Sequence, residues 1–260
     1  MRVAVIQTSS LPYEKAKINY FLSILNSKKV DLVLIGEYIL NLFFKELEET
    51  PLSFIQQQSS RQLELFKNLA LKYNMTIVAP IVLVKNRKLY KTFVKFSPKS
   101  VRFYYQQLLM PYSHWNEKEF FATKINKPFV FRLKNFMVGV LPGFETHFDE
   151  FWSYFRKKNI DLVLVPSVGT FNSMERWKKM LSTEAFLNNC YVLRANRIGK
   201  YKDWKFYGNS FLANPDGEII EELKDKEELL IAELSKKDVK ISKKEWAFLS
   251  LRKELNFEKW

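Results

Sequence analysis

A glutamate, Glu37, follows the apolar run V-D-L-V-L-I-G at 30–36, which puts it just past the carboxyl end of a strand. Ligands of α/β proteins sit at such strand ends. A carboxylate there acts as a general base when burial or neighbours raise its pKa; otherwise it is a surface or helix-starting residue. Two more strand ends carry candidate groups. F-Y-Y-Q-Q-L-L-M-P (103–111) contains Gln106 and is soon followed by Glu117. G-V-L-P-G-F-E-T-H-F-D-E (139–150) runs from a strand into a helix through a sharp turn at Gly143. Other reactive types are sparse. Cys190 lies in L-N-N-C-Y-V-L, at the start of a buried strand, where a thiol reads as an inert core group. Thr146 and His147 read equally well as helix-starting residues, and His114 as a surface or supporting group near Glu117. With two histidines in all, no Cys-His or Ser-His-Asp arrangement forms. Metal-ligand spacings, phosphate loops and dinucleotide-binding glycines are missing, so no cofactor and no metal are expected.

The elements that would position these groups alternate between short β-branched runs and helical patterns, as in strand–helix–strand units. Residues 2–7 read as a first strand and 14–27 as a helix with Ile18, Phe21, Leu22 and Leu25 on one face. A buried strand is expected at 30–35, an amphipathic helix at 57–73, and a strand at 76–84 that Pro80 should bend or push to an edge. Strands at 88–97 and 101–109 follow, joined by a turn at 97–100. The second half repeats this logic. F-M-V-G-V-L-P (136–142) echoes the first strand, a helix runs through Phe151, Tyr154 and Phe155, and I-D-L-V-L-V (160–165) echoes V-D-L-V-L-I (30–35). A helix over 174–189 and strands near 191–196, 209–214 and 229–234 complete the chain, with Asn214-Pro215-Asp216-Gly217 as a hairpin turn. No linker is visible, and one domain over 1–260 is expected.

Composition narrows the class. Apolar residues make up 47% of the 260 residues, too many for a disordered chain. A single cysteine excludes an intramolecular disulfide, and neither a signal peptide nor a membrane helix is visible, so a cytoplasmic location is expected. The formal charge of +14 invites a nucleic-acid partner. Acids, however, interleave with the lysines, as in E-E-L-K-D-K-E-E, and no long single-sign run occurs. A solvated basic surface is the simpler reading, and specific nucleic-acid binding is not expected.

Taken in order, these motifs resemble the nitrilase, or carbon–nitrogen hydrolase, superfamily over nearly the whole chain. The opening R-V-A-V-I-Q, D-L-V-L-I-G-E, the run from Trp177 to Gly199 ending in N-R-I-G, and F-Y-G-N-S from Phe206 carry the resemblance. It implies a four-layer α-β-β-α sandwich and hydrolysis or transfer at non-peptide C–N bonds, as in amidases and carbamoylases. By the same resemblance the general-base position falls on Glu37 and a second, orienting glutamate on Glu117. The lysine position falls on Gln106 and the cysteine nucleophile position on Gly143. Further departures are Lys91 where a tyrosine–asparagine pair is common, His147 where arginine is common, and Glu184 where the helix run carries arginine.

In the family's mechanism a thiolate attacks the carbon and lysine stabilises the developing oxyanion. Glycine forms no covalent intermediate, so the expected reading is a catalytically inactive pseudoenzyme with a vestigial small-molecule pocket. Two alternatives stay open: an active C–N hydrolase using water activated by Glu37, and a binder of nucleic acid or another anionic partner. The resemblance also implies a homodimer joined through the helical layers, for which the aromatic helix Asp149–Phe155 is suited. The four site positions are expected to converge on one cavity, with the Glu37 and Gln106 side chains within one hydrogen bond or one bridging water of each other.

Overall fold

A computed structural model describes residues 1–12 and 14–251. The first half runs β1 (Arg2–Gln7), α1 (Lys15–Ser27), β2 (Leu32–Ile35), α2 (Phe44–Leu47), α3 (Leu52–Lys72), β3 (Thr76–Lys85), β4 (Lys88–Ser97) and β5 (Ser100–Tyr105). A small hairpin, β6 (Pro111–Tyr112) and β7 (Trp115–Asn116), then leads into α4 (Glu117–Phe120). The second half runs β8 (Phe129–Leu133), β9 (Phe136–Val140), a 3-10 turn (Gly143–His147), α5 (Asp149–Lys157), β10 (Leu162–Pro166), α6 (Met174–Asn188) and β11 (Tyr191–Ala195). A second hairpin, β12 (Ile198–Tyr201) and β13 (Trp204–Tyr207), precedes β14 (Phe211–Ala213), β15 (Ile219–Glu222), β16 (Glu228–Glu233), α7 (Lys236–Glu245) and α8 (Phe248–Leu251).

The strands form two six-stranded sheets, ordered β16-β1-β2-β3-β4-β5 and β15-β14-β11-β10-β9-β8. In each, three central strands are parallel and the flanking ones antiparallel. Parallel strands are buried on both faces, which is why β2 (L-V-L-I) and β10 (L-V-L-V-P) read as unbroken apolar runs. Alternate residues divide between the faces. Leu32, Leu34, Leu162 and Leu164 pack between the two sheets, whereas Val33 faces the layer of α1 and α3, and Val163 that of α5 and α6. The result is the expected α-β-β-α sandwich.

The internal echo is structural as well. Asp31 accepts from the Arg2 backbone N–H at 2.9 Å, and Asp161 accepts from that of Met137 at 2.7 Å. Each aspartate thus anchors the start of the preceding parallel strand, at equivalent places in the two halves.

Pro80 takes the edge alternative expected of it: β3 is an interior strand, but its pairing with β2 ends at Val78, so Pro80 is unpaired on that side and costs no ladder bond there. Other expectations need correction. Helix α3 starts five residues earlier than the apolar pattern suggests, and it buries Gln58, Ser59 and Gln62. Strand β5 stops at Tyr105, so Gln106 lies in a loop. The aromatics of α5 do not form an outer face: Phe151, Trp152 and Phe155 are buried in the chain's own core.

Candidate functional site

The parallel strands of both sheets end on one side of the sandwich, where the loops after β2, β9 and β10 meet. Glu37 follows β2 and is buried; its backbone N–H donates to Ser167 O, after β10, at 3.0 Å. The next residue, Tyr38, sits at φ +54°, a left-handed conformation uncommon for a bulky side chain. It is pinned at both ends: Arg197 donates to its carbonyl at 2.7 Å, and its hydroxyl donates to Glu117 Oε1 at 2.5 Å.

Lys91, in mid-strand on β4, is the centre of the cluster. Its ammonium lies 2.7 Å from Glu37 Oε2 and 2.8 Å from Glu117 Oε1, and all three side chains are buried. Trp115 Nε1 donates to the same Glu117 oxygen at 3.1 Å. Burial raises the Glu37 pKa; the Lys91 charge opposes this and Glu117 adds to it, while the Gly143 N–H also donates to the carboxylate. Burial alone would lower Lys91, but the two carboxylates outweigh it and hold the lysine charged, with its pKa raised. One cation is shared by two buried acids, and hydrogen bonds from Tyr38 and Trp115 to Glu117 offset part of the cost of the second.

Of the four positions singled out from sequence, three converge. The Glu37, Glu117 and Gly143 groups meet around this cluster, and Gln106 joins its frame through the backbone. Its Nε2 donates to Leu108 O at 2.7 Å, within its own loop, and makes no hydrogen bond to Glu37 among the described residues. Only its backbone touches the cluster's frame, donating to Lys91 O at 2.9 Å. The direct partner of Glu37 in this cluster is Lys91, at 2.7 Å. The lysine position stays Gln106, and the site carries its cation instead on Lys91. The signal was a lysine in the otherwise apolar stretch of β4, L-Y-K-T-F-V, which periodicity treats as a departure rather than a partner.

Gly143 opens the 3-10 turn behind Pro142, and its φ is not among the positive values, so the turn does not demand glycine. Space does. A Cβ at this position would lie 2.9 Å from Ser167 Cβ and 3.2 Å from Ser167 Cα, closer than packed carbons tolerate, and 3.5 Å from Glu37 Oε1. The volume left by the missing side chain is thus taken by Ser167, which is held by Ala195 O at 2.9 Å and Arg194 Nε at 3.1 Å. Two residues on, the buried Glu145 ties this turn to the 104–108 segment. It accepts from Tyr104 Oη at 2.7 Å and from the backbone N–H groups of Gln107 and Leu108 at 2.6 and 3.1 Å. Burial pushes its pKa up to about 7 against those hydrogen bonds. Cys190 is buried behind α5 with its thiol pushed up to about 12, in keeping with an inert core group.

A cavity of about 340 Å³ opens above Glu37 and Gly143. Its walls come from the β6–β7 hairpin, the 3-10 turn, the 168–173 loop and the first turns of α6. Lys91, Gln106 and Glu117 lie behind the Glu37 floor and do not line it. No group of three or more His, Cys, Asp or Glu side chains that could hold a metal occurs among the described residues.

The comparisons with known proteins agree with this architecture. The sequence profile of the family described as carbon–nitrogen hydrolase matches residues 2–244, and the chain belongs to that family. A "Hydrolase in agr operon" from Staphylococcus lugdunensis is 28% identical over 204 residues, 77% of this chain and 85% of that protein. A carbon–nitrogen hydrolase from Helicobacter pylori G27 superposes with a TM-score of 0.86 at 19% identity, covering 96% of this chain and 94% of that one. The crystal structure of an amidase from Nesterenkonia sp. gives a TM-score of 0.80 at 18% identity, over 98% of this chain and 96% of that one.

Proposed function

We propose that this protein is a pseudoenzyme of its family, which binds a carboxamide-type compound over Glu37 without forming a covalent intermediate. The observation that carries the reading is Gly143: the position offers no nucleophile, and Ser167 closes the space a side chain would need. Loss of a nucleophile costs about a million-fold in kcat in a serine protease. What is left still recognises an amide. The Glu37 carboxylate faces the cavity as an acceptor for an amide N–H, and Lys91 and Glu117 hold it in place. The amide-cleaving names among its relatives fit a pocket of that chemistry.

A second reading, hydrolysis by water that Glu37 activates, is favoured by the raised Glu37 pKa. Against it, Lys91 and the Gly143 N–H already engage that carboxylate. A homodimer through the helical layers, as the family resemblance implies, belongs to the proposal as well, and sedimentation velocity checks it. Calorimetric titration with benzamide and adipamate, followed by intact-protein mass spectrometry, tests the binding reading. Saturable binding with unchanged protein mass and intact ligand supports it. An acylated protein or consumed ligand overturns it.

A further inference from the structure

The cavity above Glu37 is framed by rings in an unbroken series. Trp204 stacks on His114 at 6.1 Å and 22°, and His114 on Tyr112 at 5.7 Å and 6°. Tyr112 meets Phe144 edge-on at 6.1 Å, Phe144 lies 5.9 Å from His147, and His147 lies 5.5 Å from Trp177. Both histidines of the chain are in this series. The outer members are not buried: Tyr112 is 47% exposed and Phe171, at the mouth, 61%. Phe171 is also held at φ +56°, a conformation a bulky residue avoids unless its surroundings impose it. An exposed cluster of aromatic faces around a concavity is a ligand surface by its chemistry, since flat rings gain most from stacking on flat rings.

Charge is distributed unevenly over the same cavity. The floor is acidic at Glu37, which Lys91 and Glu117 back from behind. The mouth is basic. Arg176, in the first turn of α6, lines the cavity, is exposed, and makes no ion pair or hydrogen bond with the described residues. Behind the wall lies a second guanidinium. Arg194 is fully buried and has no carboxylate partner among the described residues; it donates to Ser167, Asn209 and Tyr207, and its guanidinium lies 4.8 Å from the Trp177 ring. Burial lowers the pKa of this guanidinium and Tyr207 opposes that, while the wall ring and the acceptors hold it beside the cavity.

We propose that the ligand is a planar aromatic carboxamide carrying a carboxylate or similar oxyanion away from the amide. The amide N–H groups meet Glu37 at the floor, the ring stacks within the Tyr112–His114 and Phe144–His147 walls, and the oxyanion meets Arg176 at the mouth. This assignment rests on the amide-binding reading above and adds the body and tail of the ligand to it. No bond is made or broken.

The test is calorimetric titration with 4-carbamoylbenzoate and 4-carbamoylphenylacetate against three controls: benzamide, which lacks the tail, adipamate, which lacks the ring, and terephthalate, which lacks the amide. At least one of the first two should bind about tenfold or more tightly than every control, the worth of one charge-assisted contact. Arg176→Gln should abolish that advantage and leave benzamide affinity within about twofold. Benzamide binding as well as both amide acids, or an advantage that survives Arg176→Gln, overturns the tail assignment while amide binding stands. Adipamate matching the aromatic acids overturns the ring assignment. If benzamide, adipamate and both amide acids all fail to bind, the amide-binding reading falls with it.

Discussion

Replacing Lys91 by methionine removes the one cation from a buried site that keeps two carboxylates. Both of its contacts are short, 2.7 and 2.8 Å, and the lysine and its two partners are 3%, 2% and 0% exposed. Breaking a buried ion pair from one side costs about 3–5 kcal/mol, because the remaining charge stays desolvated. Here two like charges remain, and they can recover only by taking up protons. In the variant the folded-state pKa of Glu37, already raised by burial and no longer opposed by Lys91, is therefore expected to lie further above the ordinary value. Such groups contribute stability that is present below the unfolded pKa, near 4.5, and is lost as pH rises through the folded one. The deficit should accordingly be small at pH 5 and reach its full value of about 3–5 kcal/mol by pH 8. At that pH it should lower Tm by roughly 10 °C for a chain of this size. Urea unfolding of both proteins at the two pH values, with m held common, measures the gap. A gap under about 1 kcal/mol at pH 8, or one equal at both pH values, would refute the view of Lys91 as the counter-charge of the cluster.

Glu145 should give wild type its own pH dependence: the gap between 4.5 and about 7 is worth about 3 kcal/mol, present below pH 4.5 and lost as pH rises to 7. Glu145→Gln keeps the acceptor but not the charge, so its stability should change less from pH 5 to pH 8 than that of wild type, as read by urea unfolding. Gly143→Cys should cost about 1–3 kcal/mol through the contact with Ser167. A double-mutant cycle with Ser167→Gly should show coupling that recovers part of that loss. Gly139→Ala would push a methyl to 2.9 Å from the Phe155 ring, and a thermal scan should show a loss of similar size.

The sandwich was legible because its central strands are long apolar runs and its outer helices carry one apolar face each. The repeat of D-L-V-L marks the two halves, and the structure gives it a cause in Asp31 and Asp161. Glu37, Glu117 and Gly143 were legible as strand-end residues. Lys91 was not, because its partners come from 54 and 26 positions away and only the sheet brings them together. The hydrogen bonding of Gln106 was not legible either: spacing fixes a backbone position, whereas its side-chain amide donates to Leu108 O within its own loop. Ser167 carried no signal, since a small residue after a strand shows its effect only through what it displaces. The Pro80 expectation held in its edge form, because pairing on one side of β3 ends before the proline, a matter of register rather than composition.

The central claim, a family site without its hydrolytic chemistry, is tested most directly by ammonia release from a panel of carboxamides. The panel should include benzamide, adipamate and 4-carbamoylbenzoate, and be assayed with wild type and Glu37→Gln in parallel. The account predicts release at the level of the buffer blank for both proteins. Release well above the blank from wild type that Glu37→Gln abolishes would contradict it and assign the chemistry to water activated by Glu37.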